Sequence, residues 1–323
     1  MLERGARGAG LVAAVALVAA LVPAWAQAAS CCGGGGGAAA MAGRGERGLL
    51  DLGVEAERYD GYFDGHGQHL PDPVGSALAQ YRLTAAAAVR LASAWQVGLS
   101  VPIVWNDNVY GGGGLSSRTR GVGDASVSLW FEAVDQRTAW RLASPADLVP
   151  AITVGATLTV PTGISPYDDV ASSFDVTGRG FYRLDGTVLV DKGYRAWSAS
   201  LALAYGVAFE RPVNRSYGGF IPPERRDLGD RTSASLAVGH RLFVGTGGHA
   251  LTSTASLSWL REGMGTATTG LEKAAVSVTL AWSSTDSDWS ARTSWAHTLQ
   301  LDGWGRSFPT TDTFTLGVRR AFR

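Results

Sequence analysis

Three groups of side chains in this 323-residue chain are of types that could do chemistry. His66 and His69 stand in an H-x-x-H spacing with Asp60, Asp64 and Asp72 close by, a donor set suited to a metal ion. The surrounding stretch is Gly-rich rather than helical, so nothing local presets both imidazoles on one face. Cys31 and Cys32 are adjacent, and bridged Cα atoms sit roughly 4.4 to 6.8 Å apart in a set geometry that sequence neighbours reach poorly. Three readings of the pair stay open: lipid attachment at Cys31 after Ala28-Ala29-Ser30, a soft-metal handle, or part of a flexible spacer with Gly33 to Gly37. The third group is ionic: Asp51, Glu55, Glu57, Arg82, Arg90, Glu132, Arg183, Asp185, Arg241, Arg292 and Arg319. Its meaning depends on the elements that carry it.

Catalytic constellations are weak. His240 and His297 fall on an apolar parity, Ser294 falls on the parity opposite to His297, and Gly111 to Gly114 lacks the strand-to-helix context of a phosphate loop. No enzyme and no cofactor is expected. The 28 Lys+Arg balance 28 Asp+Glu for a formal charge of +0, which leaves no basic excess to displace counterions from nucleic acid.

The elements begin with a leader. Arg4 and Arg7 precede an apolar run from Leu11 to Leu21 and small residues around Ala24-Trp25-Ala26-Gln27-Ala28, which reads as a cleaved secretory signal over 1–28. A Gly-rich, disordered spacer is expected over 29–46 and a folded unit over 47–323. Within that unit about twelve segments alternate apolar with small polar side chains, the period-2 pattern of a strand with two unlike faces. They lie near 48–59, 78–92, 94–106, 122–134, 148–161, 180–191, 194–210, 231–243, 248–261, 271–284, 288–301 and 312–323. In 194–210, Trp197, Ala199, Leu201, Leu203, Tyr205, Val207 and Phe209 share one face, and Ser198, Ser200, Ala202, Ala204, Gly206 and Ala208 the other.

Long connections (60–75, 107–121, 162–179, 211–230, 262–270, 302–311) alternate with tight ones at Ser93, Lys192-Gly193, Thr246-Gly247 and Thr285-Asp286-Ser287, with 135–147 longer than its rim should allow. Aromatics on the apolar parity fall near one end at Trp95, Phe131, Trp197, Trp282, Trp289 and Phe322. They fall near the other at Tyr81, Trp105, Tyr182, Phe209, Trp259 and Phe314, and Trp295 lies inside the band. Spacings of roughly 8 to 12 residues span about 20 to 30 Å, the apolar band between two interfacial girdles. The expected fold is therefore all-β, a transmembrane antiparallel β-barrel of about twelve strands in the outer membrane of a Gram-negative bacterium. Its partners are outer-membrane lipid, the barrel assembly machinery and a small-molecule solute.

The eleven ionic residues then fall on the inward parity, because a charge on the lipid face at midplane costs roughly 2 to 4 kcal/mol. Arg58 and Arg320 break the rule at strand ends, where they can snorkel. Closing the first strand on the last would set Asp51, Glu55 and Glu57 between Arg82 and Arg90 on one side and Arg319 on the other. That cluster either neutralises charge in a wet lumen or builds a selectivity constriction.

Thr315-Leu316-Gly317-Val318-Arg319-Arg320-Ala321-Phe322 resembles the terminal strand signal of outer-membrane barrels, with Arg320 and Arg323 as departures. Gly121-Val122-Gly123-Asp124 entering a strand and Val160-Pro161-Thr162-Gly163 leaving one resemble motifs of the phenol-degradation meta-pathway family of outer-membrane transporters, over residues 90 to 320. The resemblance implies a narrow channel or transporter for small molecules. The residues leave two alternatives: a non-conducting barrel whose long outer loops bind a partner or surface component, and a lipid-modifying outer-membrane enzyme.

Overall fold

A computed structural model describes residues 40–43, 45–111, 115–135, 144–170, 175–245, 248–267, 270–299 and 308–323. The leader and Cys31-Cys32 lie outside the described residues. The strands are β1 (Gly48–Phe63), β2 (His69–Leu70), β3 (Ala77–Arg90), β4 (Trp95–Tyr110), β5 (Leu115–Val122), β6 (Ala125–Val134), β7 (Ala151–Val160), β8 (Arg183–Tyr194), β9 (Trp197–Ala208), β10 (Arg211–Ser216), β11 (Gly219–Arg226), β12 (Arg231–Val244), β13 (Ala250–Glu262), β14 (Leu271–Ser283), β15 (Trp289–Thr298) and β16 (Phe308–Phe322). A single 3₁₀ turn at Pro145–Leu148 follows β6.

Twelve strands close into an antiparallel barrel in the order β1, β3, β4, β6, β7, β8, β9, β12, β13, β14, β15, β16, with β5 prolonging β6. The ring closes where β16 pairs with β1, from Gly48 opposite Phe322 to Phe63 opposite Phe308. Each of the twelve alternating segments is one of these strands. Where the alternation stops, several ladders continue: β1 runs to Phe63 and returns in β2, β4 runs to Tyr110 beside β5, and residues 211–226 form the separate hairpin β10–β11. Above the apolar band both faces of a strand are wet, so the ladder persists while its period-2 signal vanishes.

One tight turn falls elsewhere than expected. Gly193 is inside the β8–β9 ladder opposite Ser198, and the chain reverses at Arg195-Ala196 between the paired Tyr194 and Trp197. Arg195 takes a left-handed φ of 54° there. Cross-strand pairing has overridden the local preference of Lys-Gly for a turn.

Outward residues such as Leu50, Leu52, Val54, Leu316 and Val318 are about half exposed and form the apolar belt. Trp95 and Phe131 face each other across β4 and β6 with ring centroids 4.7 Å apart. Arg320 lies over Trp289 and Phe322 at 5.1 and 5.3 Å, so this lipid-side arginine sits in the girdle of the short-turn end. Trp295 pairs directly with Phe314, at the same level as the opposite girdle rather than inside the band.

The wall is discontinuous at one place. β4 pairs with β6 as far as Ser100, and then with β5 from Ile103. Between them sits Pro102, which has no N–H to offer the ladder, and its carbonyl instead accepts the Gly123 N–H at 2.8 Å. Asp124 is released into the lumen at that break. Further down the same wall, inward Trp130 lies flat over Gly155, its cross-strand partner, where a Cβ would stand only 2.2 Å from the ring. Gly155→Ala should therefore displace the indole and lower stability by about 1 to 3 kcal/mol. A lower temperature for loss of the compact band in detergent electrophoresis checks this.

Candidate functional site

Alternation puts one kind of residue on each half of the lumen. The inward positions of β9 and β12 to β14 are small: Ala202 and Ala204, Ser235 and Ala237, Thr254 and Ser256, Ser277 and Thr279. The inward positions of β1, β3, β15 and β16 carry most of the charge, together with the rims of β6 and β8, while those of β4 are uncharged. A cavity of about 400 Å³ lies against the inward faces of β3, β4 and β6 to β9.

The charged half is a set of matched pairs. Arg82 is bound by Glu55 and, at 3.3 Å, by Glu57, and also donates to Gln80. Gln80 in turn donates to Asn106 at 2.7 Å. Asp51 does not join this group. Arg292 reaches from β15 across β16 and grips both oxygens of Asp51 at 2.6 and 2.8 Å. Gly317 makes this possible, since a Cβ there would lie 2.8 Å from the guanidinium carbon. Arg319, expected to face the first-strand acids, instead binds Glu46. Arg90 turns to Glu132 at 2.7 Å. Arg241 stands exposed at the short-turn end with no acidic partner among the described residues. The expected Asp51–Glu55–Glu57 seam thus splits into separate pairs, because a glycine next to Asp51 gives a long side chain two strands away the shorter route.

A second network spans the far side of the cavity. Arg179 holds Glu262 with two hydrogen bonds of 2.8 and 2.5 Å. Arg183 lies 3.9 Å from the same carboxylate and 3.2 Å from Asp185, whose other oxygen is 3.2 Å from Arg231. Glu262 is 2% exposed, so its charge stands out of water and needs both guanidinium groups. The sequence reading found Arg183 and Asp185 by parity but missed Arg179, Arg231 and Glu262, which sit in or beside loops where parity says nothing.

Between β7 and β8 the described residues 161–170 and 175–182 fold into the barrel, and the two motifs singled out above clasp them. Thr162 Oγ1 donates to the Gly123 carbonyl at 2.6 Å and accepts the Ala125 N–H at 3.0 Å. The Asp124 carboxylate receives the N–H groups of Gly163 at 3.1 Å and Arg179 at 2.7 Å. Gly178 packs so closely on that carboxylate that a Cβ would meet it at 2.3 Å. Val176 is buried, and its carbonyl accepts from Asn106 at 2.8 Å. Arg211, at the base of the β10–β11 hairpin, donates to the Gly180 carbonyl at 2.9 Å and reaches Asp168 at 3.3 Å. Phe181, Leu228 and Trp130 give the cavity apolar lining, and Thr157, Thr159 and Thr187 line it with hydroxyls.

The remaining candidates separate. His66 is exposed and lies 3.6 Å from Asp64, whereas His69 turns to Thr310 at 3.2 Å and packs on Phe63. Asp64 is committed to the N–H groups of Gln68 and His66, which hold its carboxyl below the usual range. Among the described residues no group of three or more His, Cys, Asp or Glu could hold a metal ion. On the outer face His240 packs against Trp197 with centroids 4.3 Å apart and the rings tilted by 50°. His297 lies 3.3 Å from Asp312, which also accepts from Trp295 at 2.7 Å. No hydroxyl is hydrogen-bonded to His297 among the described residues.

No family model and no curated protein matches the chain. Among solved structures, an outer-membrane channel from Pseudomonas putida F1 aligns with a TM-score of 0.64 over 89% of this chain and 98% of that one, at 14% identity. The β domain of a Bordetella autotransporter aligns with a TM-score of 0.50 over 86% of this chain and 100% of that one, at 12% identity. At such identities the likeness is one of fold: a closed twelve-strand barrel of the outer-membrane kind.

Two outcomes follow for the inward loop. Glu262→Gln leaves Arg179 and Arg183 facing each other without their shared acid and should free the loop, seen as protease cleavage within 161–182 at least several-fold faster than in the parent. For Asp168, burial pushes the carboxyl up, but the Ser165 N–H and hydroxyl and then Arg211 outweigh it and hold it below its ordinary value. Its hold on the loop is complete above a free carboxylate's pKa of about 4 and is lost as pH falls through the lowered value. Amide protection factors over 161–170 should stay level from neutral pH to about 5 and drop only below about 4, and Asp168→Asn should abolish the step.

Proposed function

We propose that this barrel is a narrow outer-membrane passage for small, uncharged and partly apolar solutes. The carrying observation is the cavity of about 400 Å³, set between an inward-folded loop and a hydroxyl-lined wall, in which every arginine is already matched by an acid. A volume in that range suits a ligand of drug size or smaller. Guanidinium groups already held by carboxylates are not free to draw in an anion. The threonine and serine hydroxyls offer exchangeable hydrogen bonds, while Trp130, Phe181 and Leu228 accept an apolar body. A twelve-strand barrel lies between filled eight-strand barrels and open sixteen-strand porins, so a constricted path is the expected form. The likeness of fold to an outer-membrane channel supports this reading. Export by the 1–28 leader and insertion by the barrel assembly machinery are part of the same proposal.

Liposomes bearing the purified protein should swell with neutral solutes of about one or two rings and not with oligosaccharides, and planar bilayers should show low conductance with little ion preference. Neither swelling nor conductance would favour the rival, a non-conducting barrel that binds a partner through its outer loops.

A further inference from the structure

Two arginines near the long-loop end stand on the lipid side of the wall. Arg58 shares the outward parity of Leu50, Leu52 and Val54 on β1, and Arg261 that of Leu257 on β13. Both are exposed. Each has an acid directly across the ladder, Asp312 opposite Arg58 and Glu272 opposite Arg261, yet neither arginine forms an ion pair among the described residues. The acids are engaged by girdle tryptophans instead. Trp295 Nε1 donates to Asp312 at 2.7 Å, and Trp259 Nε1 donates to Glu272 at 2.9 Å. Asp312, which also has His297 at 3.3 Å, is 6% exposed, and Glu272 is half-buried. An anion arriving from the lipid side therefore meets the arginines before the acids. At the short-turn end the lipid-side Arg320 lies over two rings, whereas no ring lies under Arg58 or Arg261 among the described residues.

Height and spacing put these two charges at the level of a headgroup. Arg261 is two residues beyond Trp259, and Arg58 is two beyond Ala56, the partner of Phe314. Two residues are about 7 Å of strand, so both guanidinium groups stand just outside the outer aromatic girdle. Strands β14, β15 and β16 lie between them, which separates the arginines by about 19 Å around the wall. On β15, the middle strand of that arc, only Ala291 and Thr293 face outward between Trp289 and Trp295. Leu280 of β14 stands beside Thr293 on one side, and Leu316 and Val318 of β16 stand on the other. A shallow apolar furrow thus runs down the wall midway between the two cations.

We propose that Arg58 and Arg261 bracket a binding site for the phosphorylated, multiply acylated glycolipid of the outer leaflet, with the guanidinium groups on phosphates at the two ends of its headgroup and one acyl chain in the β15 furrow. A guanidinium at the edge of hydrocarbon needs a counter-charge, and a phosphate supplies it through bidentate, charge-assisted hydrogen bonds. Two such points far apart on one arc fit a headgroup with two phosphates better than one with a single phosphate. The site rests on the outer-membrane placement of the barrel and is independent of passage through its lumen.

The test is native mass spectrometry of the detergent-folded chain titrated with bisphosphorylated lipid A, its dephosphorylated form, and phosphatidylglycerol. One bisphosphorylated lipid should bind per barrel, about 10-fold more tightly than either other lipid. Arg58→Gln with Arg261→Gln should remove that preference. Arg118→Gln with Arg225→Gln removes the same charge from exposed arginines already paired with Asp107 and Glu210, and should leave it intact. Thr293→Trp, which fills the furrow without touching a charge, should weaken binding several-fold and provides the reading if the arginine variants do not give the compact, heat-modifiable band. Unchanged binding in the Arg58 and Arg261 variant overturns the site, as does an equal loss in the Arg118 and Arg225 variant or equally tight binding of phosphatidylglycerol. Loss in the Arg58 and Arg261 variant with no effect of Thr293→Trp overturns the furrow as the acyl-chain seat.

Discussion

In hydrocarbon an unpaired peptide group costs several kcal/mol, so a sheet that crosses a membrane has to end on its own beginning. The pairing of β16 with β1 meets that requirement, and the other features of the lumen inherit their positions from it. Once the ring is closed, side-chain alternation leaves only two destinations, lipid and lumen. Twelve strands make the lumen small enough that long side chains from different strands meet inside it.

Glycine decides which of those meetings occur. Gly317 lets Arg292 cross a strand to Asp51, Gly155 lets Trp130 lie against the wall, and Gly98 admits the backbone of Ala40. In each case the missing Cβ is filled by a group from elsewhere in the barrel. The inward face is therefore not lined uniformly. One side is filled by crossing side chains, an inward loop and the chain's own N-terminal segment, whereas β9 and β12 to β14 turn small residues inward.

The break at Pro102 couples the wall to the loop. With no N–H at that position the ladder changes partner from β6 to β5, Gly123-Asp124 loops out, and the freed carboxylate takes the N–H groups of Gly163 and Arg179. Two motifs noticed separately in sequence prove to be the two halves of one clasp. The described loop residues 161–170 and 175–182 are thereby tied to the wall at the point where proline interrupts its ladder.

The sequence by itself determined the barrel, its strand count and which face of each strand meets lipid, because these depend on period-2 alternation and the level of aromatic residues, both written locally along the chain. It also placed Glu55, Glu57, Arg82, Arg90, Arg183, Asp185, Arg292 and Arg319 on the inward parity, since parity is a property of one strand. Which of these residues pair, and the part played by Arg179, Glu262, Arg231, Gln96 and Trp130, only the tertiary structure decided. Partner choice in a lumen depends on relative height between strands and on where glycines leave room, and those follow from the register of the whole closed ring. The seat of residues 40–43 was hidden for the same reason: alanine and glycine before a first strand read as a loose spacer until the opposite wall shows a niche for their backbone.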